Sequence, residues 1–416
     1  MRHFSIQPKW LLIGLLWFCY VLNHGDRQVL YTLFPAIQKH YGFSNETLGL
    51  TGALFLWIYG LFSPIAGILG DRWPKPAMVA GSLALWSFFT VLSGLAPTGP
   101  LLLLCRALLG ISESCFMPAA FALMANAHSP ETRSKAIALF ATSQMVGVAF
   151  GGSISGYIAE RFHWQAAFYT LGAVGLLYAW PLYGYLRRLP AEIRISPQSA
   201  APARLADFGR LMRIPSLRVV STVVAVATFG LFLVYTWLPT FLYDKFKLTL
   251  FQAGYEAAIY PQIGSLTGLL VGGLLADAGY KRNPAARFWL IFAAFCGAGP
   301  CIFLLGAAPS LLSMRVAAAL FGFCAGLVTG NQAAAAFDVV PSTFRATAVG
   351  VLNFLGCAVS GFAPYLGGVA RDTIGVGQLM AFTAIAYLCT AALILYGTLR
   401  LFPRDRAAAQ SPGLTT

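Results

Sequence analysis

Twelve stretches of the chain run apolar for about twenty residues or more, with short polar or basic segments between them. They lie at about 9–37, 46–70, 76–96, 99–127, 132–159, 165–187, 216–242, 250–278, 286–307, 309–338, 343–370 and 376–401. A helix needs about 20 apolar residues to cross the hydrocarbon core of a bilayer. It also satisfies its own backbone polar groups there, which an open strand cannot do. The pattern therefore predicts an all-α membrane protein with twelve transmembrane helices. The first run is too long for a cleaved signal peptide, and no small-residue cleavage site follows it, so it is expected to remain as a helix.

The only long polar link runs from Leu186 to Leu217 and is rich in arginine. It predicts a bundle at 1–187, a cytoplasmic linker at 188–215 and a second bundle with a short cytoplasmic tail at 216–416. The two parts repeat in sequence. "YTLFP" from Tyr31 returns as "YTWLP" from Tyr235, and "GILGD" from Gly67 returns as "GLLAD" from Gly273. "LCR" ending at Arg106 returns as "SMR" ending at Arg315, and "RSKA" from Arg133 returns as "RATA" from Arg345. The offsets, 204, 206, 209 and 212, drift slowly, as small loop insertions would make them. Two pseudo-symmetric six-helix bundles follow, and parallel repeats of this kind place a substrate site between the halves near the midplane.

Composition sharpens the class. The chain of 416 residues is 58% hydrophobic and 10% charged, against about 25% charged in soluble domains, so a membrane protein embedded in the lipid bilayer is expected. The net charge of +14 is no nucleic-acid footprint, because the 28 lysines and arginines sort by side. Twenty fall at the termini and in alternate loops, five on the other side and three within apolar runs. That asymmetry predicts cytoplasmic termini. Short loops without organelle signals suggest a bacterial inner membrane, and a monomer is expected. All eight cysteines fall within predicted helices, as small packing residues do. No metal-ligand spacing, nucleophile elbow or phosphate-binding glycine loop appears, so neither an enzyme nor a cofactor or metal is expected. Glycine pairs such as Gly151-Gly152 read as close helix contacts.

One stretch breaks the hydropathy: "VLNHGDRQVLYTLFP", Val21 to Pro35. Asp26 and Arg27 lie where the run says hydrocarbon. A charge at a helix centre costs on the order of 2.5–3.5 kcal/mol by insertion scales, so such residues face a bundle interior and serve a function. At offset 204 the second half has Gly230 and Leu231, so the architecture does not require the charges. The fourth run supplies partners in "CRALLGISESCFMP". Arg106 and Glu113 are seven residues apart, two turns along one face of a helix.

"GDRWPK", from Gly70 to Lys75, with its echo in the second half, resembles the signature loop of the major facilitator superfamily. Pro74 and Pro76 depart from the usual glycine and basic residue. The resemblance implies a gating role for Gly67, Asp71, Arg72 and Arg133. It also places the first and fourth helices against a central cavity, which would gather Asp26, Arg27, Arg106 and Glu113 into one cluster. At the cytoplasmic ends, Asp71, Asp277 and Asp338 are expected to pair with Arg133 or Arg345.

"NHGDR" on the first run is similar to the N-Y-x-D-R pattern of the anion:cation symporters. Arg106 with Glu113, followed by "FMPAA", resembles that family's fourth helix, and "WLPTFL" its seventh. The resemblance implies a proton-coupled symporter of a small organic anion, such as a hexuronate or aldonate. Asp26 and Glu113 would be the protonation sites and Arg27 the main carboxylate ligand. Arg106 belongs to the same site, and Tyr59, Gln144 and Asn353 fall where the family places polar substrate contacts. His24 stands where the pattern has tyrosine, and a cavity role beside Arg27 is expected for it. Two rival readings stand beside this one. A Spinster-like carrier of lysolipids shares the D-R pair and the R…E pair and has loops like "KRNPAARFW" (Lys281 to Trp289). A non-transporting sensor or scaffold is the other.

Overall fold

The computed structural model describes residues 8–194, 205–341 and 344–410, and every regular element among them is helical. Twelve long segments follow the apolar runs: α1 (Pro8–Thr32, continued by Phe34–Tyr41), α2 (Asn45–Arg72), α3 (Lys75–Leu95), α4 (Gly99–Ser114, continued by Phe116–Ala127), α5 (Pro130–Arg161), α6 (Trp164–Leu186), α7 (Pro215–Phe246), α8 (Leu250–Tyr280), α9 (Ala286–Ala307), α10 (Leu311–Phe337), α11 (Arg345–Ser360, continued by Phe362–Thr373) and α12 (Val376–Tyr396, extended through Gly397–Leu401 to Phe402–Gln410). Two short helices, Ala191–Arg194 and Leu205–Leu211, lie in the link between α6 and α7.

Among the described residues, ten helices are long and apolar enough to cross a membrane by composition, and α1 and α6 are not among them. The reason for α1 lies in its sequence: Asn23, His24, Asp26, Arg27 and Gln28 fall within six residues. In α6 the tyrosines and tryptophans lower the hydropathy without adding charge.

Three helices break in the middle, and each break has the same cause. Proline lacks the amide proton of the helix ladder and its ring crowds the carbonyl four residues earlier. Pro35, Pro118 and Pro364 crowd Tyr31, Ser114 and Ser360, and the helices interrupt at Leu33, Cys115 and Gly361. The break in α4 falls two residues after Glu113. Prolines 64, 181, 239, 261 and 300 lie inside continuous helices.

The chain divides into two compact units, Met1–Pro202 with Pro239–Ala258, and Ala203–Leu238 with Ile259–Thr416. In the first unit α1 packs along α5, α3 along α6 and α2 against α4. The α1–α5 contact is glycine-mediated: a methyl group on Gly151 would sit 2.5 Å from Gly25 Cα, and one on Gly147 would sit 2.6 Å from the Val21 carbonyl oxygen. Trp17 Nε1 donates to Thr142 Oγ1 (2.9 Å) and Tyr178 Oη to the Leu15 carbonyl (2.9 Å), which fixes the rotation of α1. The first turns of α8 also belong to this unit. There Glu160 Oε1 accepts the Phe251 backbone N–H at 2.7 Å, at the level where α5 and α8 meet through Gly156 and Leu250.

In the second unit α9 packs against α12 and α10. Trp237 Nε1 donates to the Pro364 carbonyl at 2.8 Å, tying α7 to α11. Asp405 Oδ2 accepts the Ser216 backbone N–H at 2.7 Å, so the extension of α12 caps the start of α7. The contact of α2 with α4 recurs here. Gly110 meets the Phe55 carbonyl, and on α10 Gly322 meets the Pro261 carbonyl of α8.

Candidate functional site

The intramembrane charges of the first unit do come together. Arg27 Nε and Nη2 both donate to Glu113 Oε2, each at 2.7 Å. The Glu113 side chain is fully buried and that of Arg27 is 12% exposed, so the arginine is the reachable member of the pair. Arg106 lies one heptad before Glu113 and is 0% exposed, with no hydrogen-bond partner at Nε or Nη2. Asp26 is 1% exposed, and neither carboxylate oxygen has a hydrogen-bond partner. Trp86 and Thr90 of α3 face its carboxylate. Two carboxylates and two guanidiniums are thus enclosed with zero formal sum, and only one ion pair is made among them. The pair joins α1 to α4. Arg106 and Glu113 share a face but stand about 10 Å apart along the axis, so the lateral partner on α1 reaches Glu113 first.

Aromatic rings cover the pair. Arg27 Cζ lies 4.8 Å from the Phe55 ring centroid and 5.0 Å from that of Tyr59. Arg106 Cζ lies 5.2 Å from the same Phe55 ring. Phe55 and Tyr59 are four residues apart on α2 and so share a face. Gly110, between Arg106 and Glu113, brings that face close: a methyl group there would sit 2.8 Å from the Phe55 carbonyl oxygen and 3.2 Å from the Tyr59 nitrogen.

The remaining expected site residues are spread more widely. His24 is buried, with its ring edge-on to Tyr20 (4.6 Å) and no partner at Nε2. Tyr20 in turn stacks on Phe140 at 4.8 Å and Phe116 at 5.9 Å. Gln144 is half-buried on α5, and Asn353 is exposed on α11 in the second unit. Gly67 has open space around its Cα. The side chains of Asp71 and Arg72 lie outside the described residues. Arg133 donates from Nη2 to the Ala125 carbonyl at 3.0 Å and the His128 carbonyl at 3.4 Å, so it closes the loop between α4 and α5. Asp338 pairs with Arg287 Nη1 at 2.8 Å rather than with Arg345, whose guanidinium lies over Phe337. Arg287 opens α9 close to the end of α10, and that packing decides the partner. Phe55 was not among the expected residues. A phenylalanine within an apolar run has no contrast, and only its spacing to Tyr59 marks it.

Residues 16–364 match the family model of the Major Facilitator Superfamily. The chain belongs to that superfamily. Its members are transporters and not enzymes, and the all-helical fold agrees. This superfamily member is 26% identical over 405 residues to the hexuronate transporter of Bacillus subtilis (strain 168), covering 92% of this chain and 94% of that one. It is 28% identical over 402 residues to human protein spinster homolog 1, covering 88% and 73%. A crystal structure of a bacterial homolog of the human lysosomal transporter Spinster, inward-facing and unoccupied, matches with a TM-score of 0.82 and 21% identity over 98% of this chain and all of that one. At that identity the likeness concerns the fold. Both subfamily resemblances read from the motifs thus reappear among the relatives of this transporter.

Proposed function

We propose that this transporter is a proton-coupled symporter of a small organic anion, a sugar acid such as a hexuronate or aldonate, working by alternating access. The observation that carries the reading is the buried pair in which a partly reachable Arg27 is held by a fully buried Glu113. A guanidinium binds carboxylates through a planar fork of donors. Protonation of Glu113 removes its charge and releases Arg27 to a substrate carboxylate. When the anion leaves and the proton departs, the pair re-forms. Asp26 is the second protonation site, a carboxylate enclosed beside Arg27 on the same helix and faced by Trp86 and Thr90 of α3. Arg106 keeps the cluster balanced. Tyr59 lines the arginine, and His24, Gln144 and Asn353 supply polar contacts to a hydroxylated substrate. The resemblance to a hexuronate transporter over nearly the whole of both chains supports the substrate class.

In this reading a monomer lies in a bacterial inner membrane with both termini in the cytoplasm. Its bundles span 1–187 and 216–416, its linker spans 188–215, and Gly67, Asp71, Arg72 and Arg133 take part in gating. The resemblance to a human spinster homolog favours a second reading, transport of a lysolipid. Thermal shift in detergent separates the two. D-glucuronate or D-gluconate raising the melting temperature at pH 5.5, with succinate weaker and lysophosphatidylcholine inert, is the expected result. Stabilisation by lysophosphatidylcholine alone overturns the sugar-acid reading.

A further inference from the structure

Phe55 holds a position that helix packing alone does not ask for. The repeat makes this visible. With the offset of 206 seen between Gly67 and Gly273, Phe55 and Tyr59 correspond to Pro261 and Ser265. The backbone contact is kept in both halves, through Gly110 at Phe55 and Gly322 at Pro261. In the second half the echo of Arg106, Arg315, instead lies 5.5 Å from the ring of Tyr260, beside Pro261, and rings at these two positions appear only in the first half.

In that half one ring serves two cations. The guanidinium carbons of Arg27 and Arg106 lie 4.8 and 5.2 Å from the Phe55 centroid, and the ring is 0% exposed. Arg27 has a carboxylate partner, but Nε and Nη2 of the fully buried Arg106 have no hydrogen-bond partner. A buried cation is stable only when something compensates its charge. The negative face of an aromatic ring does so, and it does so best away from water. Glu113 and Asp26 also act on Arg106 through space; if the ring's share weakens, Glu113, on the same helix, is the carboxylate that Arg106 and Arg27 would contest.

We infer that Phe55 is a positioning residue of the anion site: its ring compensates Arg106, keeps Glu113 committed to Arg27, and so makes Arg27 the guanidinium offered to the anion. This rests on the reading of Arg27 as the carboxylate ligand. Phe55 itself need not touch the substrate.

The test replaces Phe55 with mono-, di- and trifluorophenylalanine by nonsense suppression in the full chain. Each fluorine draws density from the ring face and weakens its attraction for cations, while shape and apolar character are nearly kept. A ring that only packs would leave the melting temperature flat or raise it. The inference predicts a stepwise fall in melting temperature in detergent, and a stepwise loss of D-glucuronate affinity reaching about tenfold at the trifluoro variant, with turnover less affected than KM. A melting temperature that stays flat or rises along the series overturns it. Arg27→Lys is measured alongside. If Arg27→Lys loses affinity while the fluorine series stays flat in both readouts, the role of Phe55 fails and the ligand assignment stands. If Arg27→Lys binds as tightly as the parent, or the parent binds no glucuronate, the functional reading fails, and the melting series still decides whether Phe55 compensates the arginines.

Discussion

Replacing Glu113 with glutamine should separate the two tasks assigned to it, holding Arg27 and carrying a proton. In the parent, a substrate carboxylate must displace a carboxylate that accepts two hydrogen bonds of 2.7 Å from Arg27. A hydrogen bond to a charged group contributes about 1.5–3 kcal/mol net. Displacing both bonds therefore weakens anion binding by about a hundred- to ten-thousandfold, at about 1.4 kcal/mol per tenfold, wherever Glu113 is ionised. Acid removes the penalty by protonating Glu113. Glutamine removes it at every pH, because its amide oxygen is a neutral and weaker acceptor. Glu113→Gln should therefore bind D-glucuronate tightly at pH 8, close to the parent's acid limit, with a profile from pH 5 to 8 much flatter than the parent's, the remaining slope coming from Asp26 and His24. The parent should tighten as pH falls. Isothermal titration in detergent measures both curves, and proteoliposomes should show that the variant exchanges substrate but no longer accumulates it under a pH gradient. Parallel curves of equal affinity would refute the argument that Glu113 and the anion compete for Arg27.

Gly110→Ala would place a methyl group 2.8 Å from the Phe55 carbonyl oxygen. Since α2 backbone must move, a stability loss of about 1–3 kcal/mol is expected, with weaker glucuronate binding as Phe55 and Tyr59 leave Arg27; an unchanged melting temperature would contradict the close α2–α4 contact. His24→Tyr should retain transport while changing the substrate ranking or the pH dependence of affinity, and superimposable curves with the same ranking would reduce His24 to a packing partner of Tyr20. His128, just past the end of α4, donates from Nε2 to the Lys9 carbonyl, which leaves Nδ1 of the neutral ring to accept from Thr132 Oγ1, each at 3.2 Å. Burial, helped by the charges of Lys9 and Arg133, pushes its pKa below the ordinary value and outweighs the carbonyl's opposite effect. The unfolded chain then binds the extra proton more readily, so stability falls as pH drops below about 6.5. Melting against pH should show a steeper acid loss for the parent than for His128→Gln, and identical slopes would refute it.

Much of this site is legible in the sequence because charge inside an apolar run is a strong contrast. Asp26, Arg27, Arg106 and Glu113 stand out for that reason, and the structure brings them together. Which charge meets which is a different kind of information. The spacing of Arg106 and Glu113 puts them on one face without putting them in reach, and the rotation of α1, set by Trp17, Gly25 and Tyr178, decides that Arg27 takes the carboxylate. The same limit explains Asp338, whose partner Arg287 comes from a helix packed beside it rather than from the echo of a loop motif. The helix interruptions had a signal in the Phe-Pro and Phe-X-Pro segments of α1, α4 and α11. Yet Pro239, in the repeat of the α1 segment, leaves α7 continuous, so proline marks where a break is permitted and tertiary packing decides whether it occurs. Phe55 was hidden among many apolar residues, and it becomes visible only when its ring is seen between two guanidiniums' reach.

The central claim is that a proton enters with each anion, and the most direct measurement is the internal pH of proteoliposomes. With pyranine trapped inside and no imposed gradient, external D-glucuronate should acidify the lumen in the parent, faster with valinomycin and potassium to dissipate any membrane potential. Asp26→Asn and Glu113→Gln should abolish that acidification. Uptake of labelled glucuronate by the parent without any acidification of the lumen would contradict the account.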